Sequence, residues 1–208
     1  MVAITPPPPL VAPNPKWFVA KAGSRYIRMF DPSRFGSTSV GFRNHGPHKR
    51  FDHHDEGIPR IDPAHATLYA GKTFSGCLVE IFGDTKTVQC GKWEVVVFEI
   101  QRDLTLLDLR SDGAMRVGSV AALCKDSDHS CGQQWSRYFY QNTFLYHTVD
   151  GLIFGNAHND EIALALYERC QGSLTEISSV ALAHKSFRYL LRKTAAALGF
   201  VVEPEGAE

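Results

Sequence analysis

The 208-residue chain has no excess of either charge: 22 lysines and arginines face 22 aspartates and glutamates. A balanced chain creates no overall field that would draw it to nucleic acid or to an anionic membrane, so direct nucleic-acid binding is not expected. No apolar run approaches the roughly 18 residues of a spanning helix, and no membrane association is expected either. The chain does not open with the basic start and apolar stretch of a secretory signal, which points to the cytoplasm. Cysteine is sparse and irregular: Cys77, Cys90, Cys124, Cys131 and Cys170 show no repeated CxxC spacing. An odd number at such intervals fits reduced, mostly buried thiols rather than a disulfide framework. Self-association is left open.

What the chain does contain is ordinary for a globular domain: 44% hydrophobic and 21% charged residues, in a length that favours one core. Prolines at 6 to 9, 13 and 15 make residues 1–22 an extended arm, because each fixes φ and removes a backbone donor. Residues 23–208 form the domain. Its first stretch, to about Asp62, is rich in Gly, Pro, His and Asp, and long loops of this kind are more often functional than decorative. Strands are expected at Ala66–Ala70, Trp93–Ile100 and Leu104–Leu109, the last two pairing with each other. Two more, Leu152–Phe154 and Ile162–Tyr167, flank a turn at Asn156–Asp160. Helices are expected at Thr73–Phe82 with Thr73 as N-cap, at Ala114–Leu123, and at Gln133–Tyr140 after a polar loop carrying His129 and Cys131. A last helix, His184–Leu198, closes at Gly199, with Phe187, Leu190, Leu191, Thr194 and Leu198 on its apolar stripe. Without a regular βαβ rhythm, the class is α+β, with mixed sheets and flanking helices.

Five segments carry further meaning through their order: Arg25-Tyr26-Ile27-Arg28, Lys49-Arg50-Phe51-Asp52 followed by Gly57, Thr67-Leu68-Tyr69-Ala70, Cys77-Leu78-Val79-Glu80, and Asp150 to Asn156 followed by Ile162 to Tyr167. No single one is specific. Together, across roughly residues 23 to 170, they resemble the RES-domain family, the NAD+-degrading toxins of toxin–antitoxin modules. The resemblance implies a fold like that of ADP-ribosyltransferases and cleavage of the bond between nicotinamide and ribose. It also implies a helix-turn-helix antitoxin as partner, and NAD+ as substrate with no resident cofactor or metal. The family's serine falls here on Asn156, which hydrogen-bonds but carries no hydroxyl.

The residue types suit that chemistry. The leaving nitrogen is already cationic, so the enzyme has to stabilise an oxocarbenium-like ribose, as carboxylates do in glycoside hydrolysis. The resemblance gives that role to Glu80, whose apolar neighbours Leu78, Val79, Ile81 and Phe82 make a carboxylate costly unless it is paired or used. Arg28 and Arg50 would clamp the pyrophosphate, and Tyr69 would offer an aromatic face. Read without the resemblance, Tyr69 is a core aromatic and Asn156 a turn residue. Water, phosphate or a macromolecule remain alternatives as acceptor, and a binding-only, degenerate relative remains a further reading. His45, His48, His53 and His54 crowd one loop with Asp52 and Asp55, but their spacing matches no metal motif, so they read as a polar loop beside the site.

Overall fold

A computed structural model describes residues 3–34, 37–55 and 57–203. The first strands are β1 (Trp17–Ala20), β2 (Arg25–Phe30), the two-residue β3 (His45–Gly46) and β4 (Arg60–Ile61), and β5 (Thr67–Gly71). Then come α1 (Phe74–Phe82), β6 (Thr87–Val88), β7 (Glu94–Ile100), β8 (Leu104–Asp108) and the short α2 (Gly113–Arg116). After α3 (His129–Gln141) and α4 (Thr143–Tyr146) follow β9 (Gly151–Gly155), β10 (Ile162–Tyr167), β11 (Leu174–Ala181), α5 (Arg188–Leu198) and β12 (Val201–Val202). The class is α+β. Eight strands make one mixed sheet in the order β1-β8-β9-β10-β5-β2-β7-β11, antiparallel throughout except for the β8–β9 pair. No described helix is long and apolar enough to cross a membrane.

The expected pairing of Trp93–Ile100 with Leu104–Leu109 does not occur. β7 lies between β2 and β11, whereas β8 lies between β1 and β9. The donors around the connection are taken elsewhere: Gln101 N–H by the Ser173 carbonyl at 2.9 Å, and Thr105 N–H by the Asp150 carboxylate at 2.9 Å. Only a few residues separate two strands that sit far apart in the sheet order, so the sheet must curl over. Val96, Phe98 and Ile100 of β7 then share one buried cluster with Leu104 and Leu106 of β8. Alternation within a strand reports which face is buried; it does not report the partner.

Other departures have local causes. The expected helix Ala114–Leu123 is split into α2 and a 3₁₀ turn at Ala121–Cys124, because Gly118 takes φ +96°. A Cβ there would also lie 2.3 Å from Pro9 of the arm. Helix α3 begins at His129, not Gln133, since Asp128 caps it by accepting from Ser130 N–H at 2.9 Å; His129 and Cys131 are therefore helical. The C-terminal helix starts as a 3₁₀ turn at Lys185–Phe187, and Leu190 is 43% exposed, the buried residues being Leu191 and Ala195. β11, for which no expectation was formed, covers the edge of β7. Thr73 caps α1 through Gly76 N–H at 3.0 Å, and Gly199 closes α5 at φ +70°, both as expected. The arm lies against the domain: Trp135 Nε1 donates to the Thr5 carbonyl at 2.9 Å, and Trp17–Ala20 pairs along Leu104–Leu107. Four of the five cysteines are buried, and Cys131 is half-buried.

Behind β10 a polar network ties the loop histidines to the core. Glu168 accepts from His53 Nε2 at 2.8 Å, Tyr140 Oη at 2.5 Å and Ala66 N–H at 3.0 Å. Burial works to raise the Glu168 carboxyl, but these donors outweigh it and hold it at about 2. A depressed carboxylate stabilises the fold above its unfolded value near ~4.3, and that contribution disappears as pH falls towards the folded value. Urea unfolding midpoints should therefore drop more steeply between about pH 5 and pH 2.5 in the wild type than in Glu168→Gln. Parallel curves for the two proteins would exclude Glu168 as a source of acid sensitivity.

Candidate functional site

One cavity of about 680 Å³ opens along β2, β5 and β10, within the roughly 300–1,000 Å³ usual for small-molecule sites. Its lining includes every residue singled out from the sequence: Arg28, Arg50, Tyr69, Glu80 and Asn156. The long loop before β5 adds Arg43 and Lys49, and the segment leading into α3 adds Lys125, Ser127 and His129. The physical situations of these side chains differ widely.

Arg28 projects from β2 and is only 8% exposed. Its Nη1 donates to the Gly41 carbonyl at 2.5 Å, and among the described residues no carboxylate pairs with it. Burial, then the charge of Arg43, lowers its guanidinium to about 10. It remains cationic near neutrality, a buried charge without a counter-charge. Such a group is costly unless an anion arrives to match it.

Arg43, which sequence reading missed, is held differently. Its Nη2 reaches both carboxylate oxygens of Asp52, at 2.9 and 2.7 Å, and its Nη1 donates to the His45 carbonyl. Asp52 is fully buried and also accepts from His48 N–H at 2.6 Å, Lys49 N–H at 2.9 Å and Tyr69 Oη at 3.0 Å. Burial opposes its ionisation, but Arg43 and the two backbone donors overcome that and keep it below the ordinary aspartate range. Nothing in the local pattern Gly41-Phe42-Arg43-Asn44 marks the arginine; the clue available was Asp52, a carboxylate inside a cationic motif.

Tyr69 is half-buried, with its ring at the cavity and its hydroxyl turned to Asp52 while accepting from Phe51 N–H at 2.9 Å. Burial, and then the Asp52 charge, pushes the phenol well above its usual range, so it stays a neutral donor. Arg50 is half-buried and donates Nη1 to the Cys124 carbonyl, joining the loop to the segment before α3.

Glu80 corrects the burial argument made from its neighbours. Leu78, Val79 and Phe82 are buried, but Glu80 lies on the exposed side of α1 and incurs little desolvation cost. It has no hydrogen bond or ion pair among the described residues, and it stands at the cavity wall. Asn156 is 1% exposed and spends its side chain on its own turn. Its Oδ1 accepts from His158 and Asn159 N–H, both at 2.9 Å, and its Nδ2 donates to Asn159 Oδ1 at 2.7 Å. In this arrangement it shapes the rim with both lone pairs of Oδ1 and one of its two N–H groups committed.

The loop histidines do not converge as one ligand set. His45 Nδ1 meets His48 Nε2 at 2.8 Å, and His53 is occupied by Glu168. Among the described residues, metal-ligand spacing is found for Asp55, Asp62 and His65, within 4.8 Å of one another. Asp62 there already accepts from His65 Nδ1 at 2.9 Å, Ala64 N–H at 3.0 Å and Asp55 N–H at 3.2 Å.

The curled sheet of this α+β domain thus carries a cation-rich cavity with an exposed carboxylate on its wall. The chain belongs to the RES domain family, whose model matches residues 12–189. It is similar to "Probable toxin y4kH" of Sinorhizobium fredii (strain NBRC 101917 / NGR234), 35% identical over 81 residues, or 39% of this chain. That match spans 61% of the relative's length. Among solved structures it is similar to a chain of the M. tuberculosis MbcT–MbcA toxin–antitoxin complex, with a TM-score of 0.57 at 17% identity. The alignment covers 86% of this chain and 92% of that one, a likeness of fold.

Because the buried Arg28 charge lacks a counter-charge, Arg28→Met should leave the fold as stable as the wild type or up to ~2 kcal/mol more stable. Urea denaturation measures this. A loss of more than about 1 kcal/mol would show that the charge is compensated within the protein.

Proposed function

We propose that the chain breaks the bond between nicotinamide and ribose in NAD+, as the toxin of a toxin–antitoxin pair. The observation that carries this reading is the cavity's charge pattern. The buried, unpaired Arg28 faces the same space as an unpaired carboxylate, Glu80. NAD+ has the matching pattern, an anionic pyrophosphate and a cationic nicotinamide ring. Arg28 and Arg50 bind pyrophosphate oxygens, for which a guanidinium fork is suited. Tyr69 lends its ring edge or face to the ribose or nicotinamide, its hydroxyl being committed to Asp52.

In the reaction the bond from ribose C1′ to the ring nitrogen breaks, and its electron pair neutralises the nitrogen. Positive charge then grows on the ribose, where Glu80 stabilises it electrostatically. Water or phosphate attacks C1′; a water nucleophile releases its proton to solvent. Glu80 is free to act because no described partner holds it. Similarity to a probable toxin and to a chain from a toxin–antitoxin complex supports the biological setting. The partner in this reading is a helix-turn-helix antitoxin covering the cavity mouth.

Purified protein freed of any co-purified partner, incubated with NAD+ with and without phosphate, should release nicotinamide. Glu80→Gln should slow that release by about a hundredfold or more while leaving the exposed position's stability unchanged. Dependence on phosphate names the acceptor, and label appearing on protein or nucleic acid instead would establish transfer to a macromolecule. No nicotinamide release from folded, partner-free protein would refute the reading.

A further inference from the structure

The geometry points to Arg43 as a further phosphate-binding residue of the cavity, beside Arg28 and Arg50, with Asp52 as the positioning residue that aims it. The inference rests on the NAD+ reading for the identity of the substrate, but its chemistry is that of any diphosphate. Three observations converge. First, Arg28 and Arg43 face one cavity, and among the described residues Asp52 pairs with Arg43 while no carboxylate pairs with Arg28, so the two are left one positive charge in excess. Second, Arg43 is fixed: Asp52 and the His45 carbonyl take part of its fork, while its side chain keeps 15% exposure. A guanidinium held on one edge presents its remaining N–H groups without further loss of rotamer freedom. Third, Asp52 touches nothing in the cavity itself. It acts through Arg43, through Tyr69, and through the backbone that carries Lys49.

This arrangement assigns the two guanidinia different conditions. Arg28 awaits an anion to satisfy it, whereas Arg43 is already balanced by Asp52 and contributes direction. Two phosphates joined by one bridging oxygen would be gripped by two such groups, and a molecule lacking the diphosphate would gain nothing from Arg43.

Calorimetric titration with ADP and with adenosine tests the assignment without requiring turnover. Wild-type protein should prefer ADP. Arg43→Gln should weaken ADP binding by about tenfold or more and leave adenosine binding unchanged. Asp52→Asn should weaken ADP similarly, and the double variant should be no weaker than Arg43→Gln alone, because Asp52 acts through the arginine. The double variant also removes both buried charges together, so it carries the test where Arg43→Gln alone does not fold. Unchanged ADP affinity overturns the proposal, as does an equal loss for ADP and adenosine or a wild type with no preference for ADP. Nicotinamide release is read separately. A protein that binds ADP through Arg43 yet releases none loses the reaction and keeps the site, and the converse result loses Arg43 alone.

Discussion

A carboxylate with no exposure to water stays ionised only if donors surround it, and at Asp52 those donors belong to the separate parts of the cavity. The Arg43 guanidinium, the Tyr69 hydroxyl and the backbone N–H groups of His48 and Lys49 all end on its two oxygens. Among its described residues the long loop before β5 has little regular structure of its own, only the two-residue β3 and β4. Asp52 therefore gathers the stretch from Arg43 to Lys49, while His53 and Arg50 tie the loop to Glu168 and the Cys124 carbonyl. A satisfied polar network of this kind rigidifies, while a partly satisfied one would leave a buried charge exposed to its own desolvation cost.

Most of the site was legible because its residues lie in segments with a recognisable order. Arg28, Arg50, Tyr69, Glu80 and Asn156 all line the cavity. What sequence could not provide was the condition of each. Glu80 looked buried from its neighbours and is exposed, since a step of two residues along a helix, from Leu78 to Glu80 or from Glu80 to Phe82, turns a side chain to nearly the opposite face. Asn156 read either as a family site position or as a turn residue, and its side chain is bonded within its own turn. Arg43 was invisible because its meaning lies in a contact nine positions away, with Asp52. The strands themselves were largely readable from β-branched and aromatic density, but sheet order was not. The pairing of β7 and β8 failed because proximity in sequence competes with acceptors supplied by Ser173 and Asp150, which no local window contains.

The two sides of the cavity are built on opposite principles. Arg28 is costly in the free protein, a charge drawn out of water with the Gly41 carbonyl and the Phe30 ring beside it and, among the described residues, no carboxylate paired to it. Glu80 costs almost nothing there, because it remains solvated. Binding an anion relieves the first, and closing over a substrate would desolvate the second and strengthen its field. On the proposed reading, ground-state attraction and reactivity would thus sit on different residues, and either could change without the other.

The strand order also governs when the molecule comes into being. β1 pairs with residues near 107, and β10, at the middle of the sheet, is among the last strands made. With synthesis at about 5–20 residues per second, the first strand waits roughly 4–17 s for its partner to emerge. Until β10 arrives to join β5 to β9, the cavity has no floor. A ribosome-bound fragment that ends before Ile162 therefore carries Arg28, Tyr69 and Glu80 without the cavity they line, which takes shape only once residues 162–167 have been made.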